Sequence, residues 1–445
     1  MVKVSVIIPV YNVEKYLRQC VDSARKQTLE EIEILCINDG SMDGSREILR
    51  QLAEADSRVR VVDKVNTGYG HTMNTGIDLA SGKYLVFLES DDFILPQMCQ
   101  VFYELCEKYE LDMVKADFYE FKTKEAQVCS RYQKVSDYEN YHQVLSPKEH
   151  TELFYASMYT WTCMYRREFI KKFGIRHHET PGASFQDNGF WFQTMMHGTR
   201  VYLLDQAYYM YRQDNPESSI HSRGKVHAFS DEYAFIREKI EACQGEGNAR
   251  ALWEICAFFN LHHNINSLTR VDRVYTKELL GLIAEDTALY GWLGAWKIEH
   301  LEKDFFRRLL LCLFQPEDVK QSLWRYMDKE AGRRQLLESY STYILYGAGM
   351  YACKVLEVLE QCKLWNKDIL CGVTDIEGAP EEIEGFKVRD IEELLTYKKE
   401  ALIIVCAKRG TEAFDQMWDN LCEWGISHMT AADELFVTEW WLLQG

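Results

Sequence analysis

The chain is short of proline, of paired cysteines, of long apolar runs and of positive charge. Seven prolines in 445 residues leave little room for long disordered linkers. The fourteen cysteines are scattered, with no Cys-x-x-Cys pair and no Cys/His spacing suited to zinc, so they read as reduced, mostly buried thiols. No apolar stretch reaches the roughly 18 residues that span a bilayer. The opening VKVSVIIPVY has one lysine before a strand-length apolar run, which is not the pattern of a signal peptide. Lys and Arg number 51 against 69 Asp and Glu, a net charge of −18 that argues against nucleic acid or an anionic membrane as the main partner. An anionic ligand held through a metal ion remains compatible with it. The expectation is a cytoplasmic protein with no transmembrane segment; peripheral contact with the inner face of a membrane and self-association stay open.

What is present is an ordinary globular composition, 47% hydrophobic and 27% charged, in a chain long enough for two or three domains. The stretch SGKYLVFLESDDFILP, Ser81 to Pro96, organises the rest. Tyr84 to Leu88 reads as a buried parallel strand, and Glu89, Ser90, Asp91 and Asp92 stand at its C-terminal end. Acids at the mouth of a buried strand are costly unless a cation or a hydroxylated ligand meets them, and that edge of an open α/β sheet is where ligands bind. A polar loop with an aspartate helix cap is the plainer alternative.

Around it, strands at Val4–Val10, Ile32–Ile37, Val59–Val62 and Met113–Ala116 alternate with helices near 13–24, 45–55, 72–80 and 97–108. Asn12 is expected to cap the first helix, and Thr67–Gly70 to form a turn. Such alternation predicts right-handed crossovers and a largely parallel sheet. It puts Pro9 to Asn12, Asp39 and Asp91 on one edge. Residues 151–222 lose the alternation and gain aromatics; a helix is expected over 165–174, another after Gln186-Asp187, and a strand over 207–212. Asp187 suits a helix cap or first-turn acid there. Residues 230–339 read as helical, with Leu301, Phe305, Leu309 and Leu313 as one apolar stripe and no visible chemistry. The adjacent His262-His263 pair reads as packed or solvated rather than as a metal site.

The last 105 or so residues form a second α/β unit. A strand over 343–346 leads into Gly347-Ala348-Gly349-Met350-Tyr351-Ala352, which fits G-x-G-x-x-A, and a second strand ends at Asp375. Gly347, Gly349 and Asp375 would suit a dinucleotide such as NAD, and a structural role suits them as well.

Taken together, VSVIIPVYN, INDGSMDGS, NTGYGHTMNTG and YLVFLESDD, in that order, resemble the family 2 inverting glycosyltransferases of the GT-A fold. The resemblance continues through WTCMYRREF, Gln186-Asp187 and YRQDNPESS. It implies a GT-A domain over 1–225; the readings of the later residues add a helical linker domain over 226–338 and a Rossmann-like domain over 339–445. It implies that Pro9, Tyr11, Asn12 and Asp39 hold the nucleoside, that Asp91 holds the ribose, that Asp92 ligates Mn²⁺ or Mg²⁺, and that Asp187 is the catalytic base. Glu89 stands where the family has Asp, and His221 is a further candidate for metal or diphosphate contact. Gln186 replaces the usual Glu and removes a like charge beside the base. Trp161, Phe185 and Trp191 are candidates for stacking on a sugar, or are core. The donor implied is a nucleotide-diphosphate sugar, most simply a UDP-sugar. The acceptor implied is a glycan or lipid-linked glycan of a cell-surface polysaccharide. Two other functions compete: an NAD-dependent sugar oxidoreductase or epimerase, disfavoured because no Tyr-x-x-x-Lys pair follows the glycine motif usefully, and a catalytically silent binding protein.

Overall fold

The computed structural model describes residues 1–124, 127–183, 185–217, 223–243, 249–292, 303–374, 378–397 and 400–436. His221, Asp375 and Leu301 lie outside these. The chain divides into two compact units, Met1–Leu309 and Leu310–Gly445. Among the described residues no helix is long and apolar enough to cross a membrane.

The first unit is built on β1 (Val4–Val10), β2 (Ile32–Asn38), β3 (Val59–Asp63), β4 (Tyr84–Phe87), β5 (Phe93–Ile94), β6 (Met113–Lys124), β7 (Gln127–Gln133), β8 (Val144–Leu145), β9 (Cys163–Arg166) and β10 (Val201–Arg212). Their order is β3-β2-β1-β4-β9-β6-β10-β5, with β7 beside β6 and β8 beside β10. The expected parallel half is present: β1 lies between β2 and β4, and β2 pairs with β3, all parallel. Beyond β4 the sheet is mixed, because β9 enters antiparallel between β4 and β6. Every residue of β1 and β4 is buried, as helices on both faces require.

Helices α1 (Glu14–Arg25), α2 (Ser45–Ala55), α3 (Tyr69–Leu79), α4 (Met98–Tyr109), α5 (Arg167–Phe173) and α6 (Gln186–His197) accompany these strands. In α1 the buried face is Tyr16, Leu17, Cys20, Val21 and Ala24, the apolar repeat legible in the sequence. Asn12 does not cap it. Its backbone is left-handed (φ 49°), its side chain accepts from the Met42 N–H at 2.8 Å, and the N–H groups of Val13 and Glu14 are met by Ser45 and Asp43 instead. β6 runs eight residues past its expected end, since β7 folds back antiparallel to pair it. β10 starts six residues early, alongside β6. Tyr165 and Arg166 extend β9, so α5 is shorter than expected and closes on left-handed Gly174. Helices α7 (Ala228–Ala242), α8 (Ala249–Ser267) and α9 (Thr276–Trp292) complete this unit, α10 (Lys303–Phe314) crosses its end, and α11 (Pro316–Glu338) belongs to the second.

The second unit has a smaller sheet of β11 (Thr342–Tyr346), β12 (Asp368–Val373), β13 (Glu382–Ile383), β14 (Phe386–Asp390), β15 (Leu402–Val405) and β16 (Met429–Ala431), in the order β13-β14-β12-β11-β15-β16. All pairings are parallel except the β13–β14 hairpin. Side chains alternate along β11, so Tyr343 and Leu345 pack into one apolar layer with α12 (Met350–Gln361), and Ile344 and Tyr346 into the other with α13 (Ile391–Tyr397) and α14 (Glu412–Glu423). The small sheet thus carries an apolar layer on each face.

Candidate active site

The C-terminal ends of β1, β2 and β4 form one edge, and short polar bridges knit the loops there. Pro9 is buried within β1, while Tyr11 projects with 48% of its surface exposed. Asp39 is buried beyond β2. Its carboxylate accepts from the N–H groups of Thr67 and Gly68, at 2.9 and 3.1 Å, and pairs with Lys64. It therefore shapes the entry to α3, and Lys64 is the cation it brings to this edge. Gly68 (φ 94°) and Gly70 are held against the segment before α6: an added Cβ would lie 2.6 Å from the Thr180 carbonyl oxygen and 2.0 Å from that of His178. No other residue type permits that approach.

The acids after β4 part ways. Asp92, expected to ligate a metal, turns into the protein. It is 1% exposed, with one oxygen accepting from the Arg212 N–H and the other from the Tyr209 hydroxyl, both at 2.7 Å. Burial, then the neighbouring Asp91 charge, pushes its carboxyl well above the ordinary range. Asp91 stays at the rim. Asn215 donates to one of its oxygens at 2.7 Å, and among the described residues no side chain meets the other. Glu89 accepts from the Tyr69 hydroxyl at 2.6 Å. Burial pushes Glu89 up to about 8; the Tyr69 bond opposes this, while the charges of Asp187 and Asp91 add to it. Arg212 ties the rim together, bonding the Asp91 carbonyl, Gln19 and Asp214 between the rings of Tyr16 and Phe121.

Asp187 lies in the first turn of α6. The residue before the helix, Phe185, takes a left-handed φ of 63°, an uncommon and strained conformation for a bulky side chain. Burial, followed by the like charge of Glu232, pushes Asp187 up to about 6, against an opposing backbone hydrogen bond and Lys115. Gln186 does not leave the base easier to ionise: its amide is spent on Thr180 and Gly182, and Glu232 supplies the like charge that position 186 lacks. The two carboxylate groups meet electrostatically. Glu89 feels both Asp187 and Asp91, and the Tyr211 phenol is raised by burial and by Tyr159, Asp92, Asp91 and Asp187.

Lys115 and Glu232 were not legible in this role. Lys115 is wholly buried in β6, donating to the Tyr159 carbonyl and the Thr162 hydroxyl at 2.6 and 2.7 Å, over the Trp191 ring. A lysine inside an apolar strand run was the available signal. Glu232 comes from α7, in the region read as free of chemistry. Trp161 and Trp191 are core, 3% and 0% exposed, and Phe185 stacks on Phe229 at 4.0 Å, so none of the three presents an open ring. His263 packs against Tyr233 and Asn188 and His262 stacks on Phe258, the packed arrangement expected of this pair.

Residues 5–174 match the model of glycosyl transferase family 2. The uncharacterized glycosyltransferase EpsJ of Bacillus subtilis is 36% identical over 221 residues, covering 48% of this chain and 62% of its own. A chondroitin synthase of Pasteurella multocida is 39% identical over 105 residues, 24% of this chain and 10% of its own. The chain thus spans less than two thirds of either relative. Among solved structures, S. aureus TarS 1–349 in complex with UDP-GlcNAc superposes with a TM-score of 0.54 at 18% identity, covering 73% of this chain and 87% of that one.

Proposed function

We propose that the unit containing residues 5–174, which match glycosyl transferase family 2, is an inverting, cation-assisted enzyme moving a sugar from a UDP-sugar to a glycan hydroxyl. The observation that carries this reading is that Tyr69 ties the two acidic segments together, its hydroxyl donating to Glu89 at 2.6 Å and its N–H to the Gly182 carbonyl just before α6 at 3.0 Å, with Glu89 feeling the charges of both Asp187 and Asp91. Inversion needs a base facing the acceptor on the side opposite the leaving diphosphate, and a single carboxylate pushed up to about 6 can take that proton near neutral pH. Asp91, rather than Asp92, supplies the hard oxygen for Mn²⁺ or Mg²⁺, because the oxygens of Asp92 already hold Arg212 and Tyr209. Among the described residues no cluster of three ligating side chains stands ready for a metal, which suits a cation shared with the ligand's own diphosphate. Bound there, the cation would offset charge on the departing diphosphate. Glu89, with its Tyr69 bond, would face the ribose side, and Pro9, Tyr11 and Asn12 the nucleoside end, where Asp39 would act through Lys64 and the turn before α3 that it holds.

The relative named as a chondroitin synthase supports a polysaccharide as the acceptor class. TarS, a structure in complex with UDP-GlcNAc, supports a UDP-sugar donor. A thermal-shift series of UDP-sugars with and without Mn²⁺ tests the reading. A cation-dependent rise in melting temperature is expected for at least one donor, and no rise with any nucleotide sugar would sink it.

A further inference from the structure

We propose that Glu232 is a positioning residue for the Asp187 base, so that helix α7 completes the catalytic site by clamping the first turn of α6. This rests on the reading of Asp187 as the base. Glu232 is 1% exposed. Its Oε1 accepts from the Gly189 N–H at 2.8 Å, two residues past Asp187, and its Oε2 lies 3.1 Å from Nδ1 of His178, whose ring stacks on Phe235 at 4.5 Å and 3°. Gly189 has no side chain to obstruct this; a Cβ there would sit 2.2 Å from Oε1. Two more contacts hold the same turn: Phe185 on Phe229, and Asn188 at His263 Nδ1 at 3.4 Å, the latter ring being held in turn by the Tyr233 hydroxyl of α7 at 3.0 Å. From the sheet side, Lys115 stands over Trp191, one turn beyond Asp187. The base is therefore bracketed by a buried acid and a buried lysine.

A neutral side chain could accept the Gly189 bond at less cost than a buried carboxylate, so the charge itself calls for an account. Facing Asp187 are Lys115 from β6, Glu232 from α7, Glu89 after β4, and the phenols of Tyr69, Tyr159, Tyr165 and Tyr211; facing Glu232 are His178 and Asp231. Within that set Glu232 makes Asp187 more basic, and Lys115 makes it less so.

The test uses the full chain, with UDP release from a UDP-sugar followed between pH 5 and 9. E232A and G189A each break the clamp and should lower kcat about 10- to 100-fold with donor KM unchanged, as expected for a misplaced catalytic group. The G189A/E232A double variant should be no worse than either single one, in kcat and in melting temperature, because both remove one contact. E232Q can keep both hydrogen bonds while losing the charge; it should recover most of the kcat that E232A loses and shift the acid limb to lower pH. Additive melting-temperature losses, or an E232Q profile identical to the parent, would overturn the proposal. If the parent chain releases UDP from no UDP-sugar, the proposed function fails instead, and the melting-temperature cycle still decides the clamp.

Discussion

The two sheets of this molecule share an architecture and differ in what they bury. Each has a parallel core of strands, β3-β2-β1-β4 in the first and β14-β12-β11-β15-β16 in the second, whose C-terminal ends meet a run of loops on one edge. In the first unit that neighbourhood encloses Asp39, Asp92, Lys115, Gln186 and Glu232 at 6% exposure or less. In the second, among the described residues, the buried polar side chains are Ser322, Arg333, Thr342 and Thr430, with no buried carboxylate. Gly347 of the second unit is accounted for without a ligand: its φ is 115°, and a Cβ would lie 3.1 Å from the Cys406 carbonyl oxygen. Strand topology brings loops together but does not make them a site. The effective cost of burying an ion is several kcal/mol, and groups held at that cost mark where chemistry or a tightly bonded scaffold lies.

The sharpest way to break this comparison is Asp187→Asn. Transfer should fall by roughly 10²- to 10⁴-fold, the range of a lost general base, while donor-induced thermal shifts persist. The same variant should melt higher than the parent at pH 7–8. The sign follows from the raised folded-state value: the native carboxyl holds its proton up to about 6, whereas an unfolded Asp releases it near 3.9, so stability is lost as pH rises through that window and the amide avoids the loss. Unchanged transfer would mean that Asp187 is not the base.

Asp91→Asn and Asp92→Ala separate rim from scaffold and come next in size. The first should abolish the extra stabilisation by UDP with Mn²⁺ and leave the unliganded melting temperature within about 1 °C, since surface changes cost little. The second should lower stability with or without ligand by about 1–3 kcal/mol, through the orphaned Arg212 N–H and Tyr209 hydroxyl. The opposite pattern would return the cation to Asp92. A smaller effect is expected of Lys115→Met. The parent's activity should rise with pH through about 6 as Asp187 ionises, and losing the Lys115 charge, which favours the ionised form, should move that limb upward.

How far the sequence reveals this site depends on how local each determinant is. The strand ends at Val10, Asn38 and Phe87 were legible because an apolar run followed by turn chemistry is a signal within ten residues. So was the pair of acidic segments, once their order along the chain was recognised. Which of Asp91 and Asp92 faces solvent was not legible, because it depends on Tyr209 and Arg212, about 120 residues later. The insertion of β9 between β4 and β6 is a long-range pairing with no mark in its own four residues. Glu232 is the extreme case: nothing in the helical run SDEYAF sets it apart from a solvated acid, and only Gly189, a glycine early in a helix, hints at what approaches it.

The second unit offers the mildest test, and glycine chemistry gives it a sign. Gly349 has φ −109°, and a Cβ added there would meet no atom within 4 Å, so Gly349→Ala should leave both stability and transfer as they are. Gly347 sits in the left-handed region against Cys406, so Gly347→Ala should cost about 1–3 kcal/mol, seen as earlier melting of the second unit with transfer unaffected below that temperature. NAD at about 1 mM, by the same reasoning, should leave the melting curve in place, because the left-handed turn at Gly347 and its approach to Cys406 already account for the first glycine of the motif. A rise of several degrees with NAD, abolished by Gly349→Ala, would reverse the contrast: the glycines would then be making room for a pyrophosphate at the start of α12, and the second unit would be a binding site in its own right.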